Sequence, residues 1–257
     1  MVTPIQSFEY AQQKAEHFLK MYDILHDTRR RRIRRDWGDS FRSFMRWPAT
    51  ENFVRVDGKG SFLILKQELG ISRDEFQHEY VSEMLRASIA FSVSAMDNFF
   101  HDSIVSWSWK ILSYAEDDVP SELKKISLPI LVTKRVIEQL KREPDSRPSF
   151  KIKTEIQKLL HKQSFQSQND IQRAFKMLDV DDCWGKLAVL MDLQKKEIFS
   201  ELNSIVRRRN QIVHEADIMP KTKAKKITRR DISRAQVQNS LDFISKFVEH
   251  SNEIINA

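Results

Sequence analysis

The sequence predicts an all-α fold, a bundle of long helices with a short β-hairpin as the one candidate strand element, near the N-terminus. Two observations carry this. Glycine and proline are scarce, 5 and 7 of 257 residues, so few positions interrupt a helix. Long stretches also repeat apolar residues with the 3.6-residue period and are separated by polar turns. A chain of this length buries a core without staples. Its single cysteine, Cys183, excludes an internal disulfide framework and a multi-cysteine metal site.

The first helix runs from Ser7, a candidate N-cap, to about Leu25, with Phe8, Ala11, Ala15, Phe18, Leu19, Tyr22 and Leu25 on its apolar side. It leads into Arg29, Arg30, Arg31, Arg32, Arg34 and Arg35 around Ile33. Such a density repels itself unless it meets anions or acidic side chains, so the run is either a solvated helix end or a contact for a nucleic-acid backbone. Asp36 to Gly70 is the least helical region. Its Asp57-Gly58 turn, with Phe53, Val54 and Val56 before it and Phe62 to Leu65 after it, reads as a hairpin or as a buried loop leading to a helix. Trp37, Phe41, Phe44 and Trp47 are expected to pack the edge of the core.

Ser72 to about Tyr114 opens with the capping pattern S-R-D-E and carries the strongest core helix, through Leu85, Ile89, Val93, Met96, Phe100, Ile104, Trp107 and Ile111. Asp97 falls among these apolar residues, four before His101. An unpaired carboxylate there is costly, so Asp97 either serves a structural hydrogen bond or an exposed pair, or faces a site and orients Arg209 or His214. Leu128 to Leu140 is a shorter helix after Pro129, and Glu143 to Ser149, with Pro144 and Pro148, is a loop. Phe150 to His161 is a basic amphipathic helix ending in a surface histidine, and Ser164 to Leu178 is a short one. Cys183 and Trp184 are packing residues. Leu187 to Val213 reads as one long helix, and Pro220 marks a stop. A basic loop follows, bearing Lys221, Lys223, Lys225 and Lys226, then a cap at Thr228 to Asp231 and a closing helix through Leu241, Ile244, Phe247, Val248 and Ile255.

Lys and Arg number 43 against 36 Asp and Glu, a formal charge of +7 with a pI near 9.4, which suits a polyanionic partner. Residues 1–13 lack the charged and apolar blocks of a leader, and no run of about 18 apolar residues occurs. The expectation is a cytosolic chain without a membrane partner. There is no glycine-rich phosphate loop, paired-cysteine site or H-E-x-x-H helix, so neither metal nor cofactor is expected.

The stretch with chemistry in it is Ile205 to Asp217, I-V-R-R-R-N-Q-I-V-H-E-A-D. Arginine stays cationic at any working pH and clamps phosphate oxygens, while His214 moves a proton near neutrality. On a helix Asn210 and His214 share a face. Arg209 lies about 140° from His214 and Arg207 only about 20°. Spacing alone leaves Arg207, Arg208 and Arg209 open as its partner.

Arg209-Asn210-Gln211-Ile212-Val213-His214 resembles the R-N-x-x-x-H form of the R-x(4 to 6)-H signature of HEPN domains. Leu85 to Asp102, L-R-A-S-I-A-F-S-V-S-A-M-D-N-F-F-H-D, resembles the preceding core helix of the prokaryotic RiboL-PSP-type branch, and the stretch from Ser164 to near Trp184 is similar to it as well. The resemblance covers roughly residues 76–217. The first 70 residues are set apart as a helix plus a basic, aromatic extension packed on a helical domain spanning 71–257.

The resemblance implies an all-α bundle of long antiparallel helices that pairs as a homodimer through the motif-bearing helices. In many members it implies metal-independent endoribonuclease activity in toxins or anti-phage defence effectors. Arg209 and His214 match the motif's fixed positions, Asn210 its polar third, and Asp97 follows from helix context. Arg207 and Arg208 keep R-x(6)-H and R-x(5)-H readings open. The RNA contacts expected are Arg29, Arg30, Arg31, Arg32, Arg34, Arg35, Arg207, Arg208, Lys221, Lys223, Lys225 and Lys226. An antitoxin or a defence-system protein is a further expected partner. The alternatives are a noncatalytic RNA- or nucleotide-binding or protein-interaction subunit, and a motif that only secures the dimer.

Overall fold

A computed structural model describes residues 2–58, 61–70, 76–111, 118–142, 149–219 and 227–257. In chain order the elements are α1 (Pro4–Leu25), β1 (Arg29–Arg31), α2 (Arg35–Phe44), β2 (Phe53–Asp57), β3 (Phe62–Lys66), α3 (His78–Val81) and α4 (Glu83–Ile111). There follow α5 (Ser121–Lys124), α6 (Ile130–Arg142), α7 (Ser149–Leu160), α8 (Gln168–Met177), α9 (Cys183–Met191), α10 (Lys195–Glu215) and α11 (Arg234–Asn256). Among the described residues no helix is long and apolar enough to cross a membrane.

Helix α4 is the axis of the bundle because it is apolar on more than one face. Leu85, Ile89, Val93, Met96, Phe99, Phe100 and Ile104 are all buried, and such a helix must be enclosed. It is enclosed by α1, α7, α8, α10 and α11. Helix α1 runs antiparallel to it: Phe8 meets Phe99 at 6.4 Å, and Ser88 donates to the Ala15 carbonyl at 2.6 Å. Phe100 meets Phe175 of α8 and Phe247 of α11 edge-on or tilted. Gln12 reaches from α1 to α11, donating to the Leu241 carbonyl at 3.3 Å. These pairings gather the C-terminal ends of α1 and α10 and the N-terminal ends of α4 and α11 at one end of the bundle. Arg234 pairs there with Asp23, and Arg86 with Asp217.

Several boundaries differ from the sequence reading, each for a local reason. Helix α1 begins at Pro4 rather than Ser7, because Thr3 and Gln6 form a reciprocal capping box with proline in the first turn. The core helix begins at Glu83 rather than Ser72. His78–Val81 is a separate turn, and the S-R-D-E pattern, at 72–75, lies outside the described residues. The stretch read as one helix from Leu187 to Val213 is broken. Asp192 takes a left-handed φ of 53°, and α10 restarts through a capping box in which Gln194 N donates to Glu197 at 2.7 Å. The closing helix is capped by Ser233 with Gln236, not by Thr228 to Asp231. Most of the Glu143–Ser149 loop, residues 143–148, lies outside the described residues.

The N-terminal hairpin is present and gains a third strand. The arginine run does not continue α1 but forms β1, the link after it and the first residue of α2, giving an antiparallel sheet in the order β1-β2-β3 with Arg31 opposite Arg55 and Val56 opposite Leu63. Helix α2 lies within the region read as least helical. Its Trp37 and Phe41 pack on Phe53, with Trp47 beside them, while Phe44 projects 83% exposed.

Candidate functional site at the C-terminal end of α10

Ile198, Leu202 and Ile205 bury one line of α10. Arg209 is the next residue on that line, four beyond Ile205, where the core ends, and it is half-buried. Its Nε is buried without a hydrogen-bond partner among the described residues, while its Nη1 donates to Asn210 Oδ1 at 3.1 Å. The guanidinium thus curls from the core line toward Asn210. Asn210 and His214 lie one turn apart on the exposed side. No described residue engages the His214 imidazole, which leaves both ring nitrogens for a ligand. Arg207 is also exposed and lies close to the direction of His214, on the rim of a groove of about 480 Å³ between α10 and α11.

Arg208 is different. It grips Asp217 with both terminal nitrogens and donates to the Asp231 carbonyl at 3.1 Å. Asp217 is fully buried, and Arg86 donates to it from α4 at 2.6 Å. A carboxylate out of water survives on such charge-assisted bonds. Arg86 also donates to the Ser82 hydroxyl and the Arg230 carbonyl. This cluster clamps the turn that follows His214, where Ala216 and Asp217 both take positive φ. Arg229 pairs with Glu83, and Arg230 with Glu215. Sequence reasoning missed Arg86 and Asp217 as partners. The available signal was a lone cation beside Leu85 in an apolar helix, the same argument that singled out Asp97.

Asp97 is placed away from this end. Its carboxylate accepts from Phe165 N at 2.5 Å and from Gln166 Nε2 at 3.1 Å, holding the link between α7 and α8. That is the structural hydrogen bond of the two readings; the described bonds to Asp97 do not come from Arg209 or His214. His101 lies 3.8 Å from Asp97, with its ring edge-on to Phe165, and burial holds its pKa below the ordinary histidine value. Burial also pushes the Cys183 thiol up to about 11, as a packing residue requires.

The basic residues divide. Arg29, Arg31, Arg32, Arg34 and Arg35 are exposed, with Arg31 3.7 Å from Asp57. Arg30 belongs to β1. Lys221, Lys223, Lys225 and Lys226 lie outside the described residues. The chain leaves α10 and re-enters α11 at the end of the bundle where α1 delivers the arginine run. The end that carries His214 is therefore also the one from which the exposed arginines emerge.

No curated protein and no solved structure matches the chain. Residues 62–257, from β3 through α11, match the RiboL-PSP-HEPN family, which supports a nuclease, RNA-related or defence role in general terms. Helix α1 lies before the matched residues yet fills the same core through Phe8, Ala15, Leu19 and Tyr22. With its matched segment covering the motif and the helices around it, the chain belongs to the RiboL-PSP-HEPN family.

Proposed function

We propose that the protein is a metal-independent endoribonuclease that acts as a toxin or anti-phage defence effector. The observation that carries this reading is the 3.1 Å contact from Arg209 to Asn210, one turn from an exposed His214 without a described partner. It sets a fixed cation, an amide and a titratable imidazole at one helix end, facing solvent. In the reaction the 2′-oxygen of a ribose attacks the adjacent phosphorus as His214 takes its proton. The bond to the 5′-oxygen breaks and that oxygen takes a proton from water while His214 gives its own back to solvent, leaving a 2′,3′-cyclic phosphate and a 5′-hydroxyl. Arg209 stabilises the charge that develops on the phosphoryl oxygens, and Asn210 orients one of them. Arg207 and the exposed arginines from Arg29 to Arg35 hold the backbone on either side.

Pairing of two copies through α10 answers the angular offset between Arg209 and His214, because residues that diverge on one helix converge across a twofold interface. An antitoxin or defence-system protein that covers this end of the bundle would silence the site.

The test is an oligonucleotide series in which one ribose at the mapped cleavage position is replaced by 2′-deoxyribose. Cleavage there should vanish while binding persists, because only RNA supplies the nucleophile. Unchanged cleavage at the deoxy position would overturn the mechanism.

A further inference from the structure

At the same end of the bundle a cleft opens between the C-terminal end of α1, the start of β1 and the segment entering α3. It has a volume of about 340 Å³ and is lined by Tyr22, His26, Thr28, Arg29, Phe76 and His78, with Asp27 and Gln77 beside them. That volume is at the lower end of small-molecule sites, which run from about 300 to 1,000 Å³. Two features distinguish it from an accidental gap. Thr28 is 9% exposed, and its hydroxyl has no hydrogen-bond partner among the described residues. A buried hydroxyl left unpaired is destabilising, so its retention points to a bond made with something else. The walls are also largely rings. Tyr22 and His26 lie 5.0 Å apart, and His78 stands edge-on to Tyr22 at 6.5 Å.

We propose that this cleft is a nucleotide subsite that seats the base of one unpaired nucleotide against its ring-lined wall and the adjoining phosphate on Arg29. A bare anion fits poorly. The cleft sits at the C-terminal, negative end of α1, with Asp27 on its wall 4.0 Å from His26. A nucleobase fits better, because its edge carries donors and acceptors together and a hydroxyl can answer either. The rings offer the stacking surface that base binding uses without sequence preference. Arg29 is exposed at the head of the arginine run, where a phosphate would leave the cleft toward solvent. The nucleotide can belong to an RNA strand or be free. Assignment to an RNA strand rests on the endoribonuclease reading, whereas the cleft itself does not.

The experiment uses the full chain carrying His214→Ala, so that bound RNA stays intact. The four ribonucleoside 5′-monophosphates, inorganic phosphate and an unstructured octaribonucleotide are titrated while the ring resonances of His26 and His78 are followed. At least one monophosphate should shift both histidines, and inorganic phosphate should shift neither. Thr28→Val and His78→Ala should each weaken monophosphate binding roughly tenfold. Thr28→Val should leave the melting temperature unchanged or raised, since it removes an unpaired hydroxyl. If octamer affinity falls in both variants, the source is an RNA strand; if only monophosphate affinity falls, it is a free nucleotide. Absence of monophosphate binding at millimolar concentration, or affinity unchanged in both variants, would overturn the proposal. Cleavage by the wild type does not enter these readouts. A protein that binds nucleotide here without cutting RNA would refute the nuclease reading alone, and one that cuts RNA without binding here would refute the subsite alone.

Discussion

Asp217 shows what individual residues contribute at the motif. Its carboxylate is fully buried between Arg86 and Arg208, and it fixes the turn that leaves His214 at the surface. Asp217→Asn should cost about 3–5 kcal/mol, the penalty for leaving buried cations without their charge partner. Urea unfolding measures it; a loss below about 1 kcal/mol would mean that the cluster is solvated. Arg208→Ala should likewise lose stability, so lost activity in that variant would report on the fold. Spacing could not separate Arg207, Arg208 and Arg209. What distinguishes Arg208 is a carboxylate brought back by two left-handed residues, which periodicity does not reveal. Asp97 was legible as a residue needing a partner, but the partner, a backbone amide 68 positions away, was not. His101 supplies a pH signature. Burial lowers its pKa, with Asp97, His161, Asp102 and the Gln163 backbone around it. The unfolded chain then takes up the proton first as pH falls through the ordinary value of 6.5. Stability should therefore drop below about pH 6.5, and His101→Gln should flatten that slope in unfolding midpoints measured between pH 7.5 and 5.5.

At the scale of elements, the long helices were legible because their apolar period survives any choice of boundary. Their ends were less so. Helix α1 begins at Pro4 behind a cap made by Thr3 and Gln6, and α9 separates from α10 at a left-handed aspartate inside an apolar pattern that runs through the break. Strand β1 hid in a run of arginines, since its pairing with β2 is set by the backbone and not by side-chain alternation. The break before α10 bears on function. It lets α10 end where α4 begins, with Asn210 and His214 on the outside. If two copies pair through α10 and share each site, Arg209→Ala and His214→Ala proteins should be inactive alone and regain activity when mixed. Activity in the mixture no higher than in either variant would place both residues of a working site on one chain.

Across the whole molecule, helix class, the hairpin, the family and the motif were all readable from sequence. The meeting of distant segments at one end of the bundle was not. Arg234 holds Asp23 across 211 positions, and Arg86 holds Asp217 across 131. These links bring the arginine run, the motif and the nucleotide-sized cleft to one end, although they come from opposite parts of the chain. In the proposed function Arg209 and His214 at this end cleave RNA. Its most direct test is digestion of a mixed RNA pool in excess chelator by the wild type, Arg209→Ala and His214→Ala, with product ends typed. Wild-type cleavage should leave 2′,3′-cyclic phosphates and 5′-hydroxyls, reduced by at least about a hundredfold in each variant. Cleavage that persists in both variants, or wild-type products ending in 3′-hydroxyls, would contradict it.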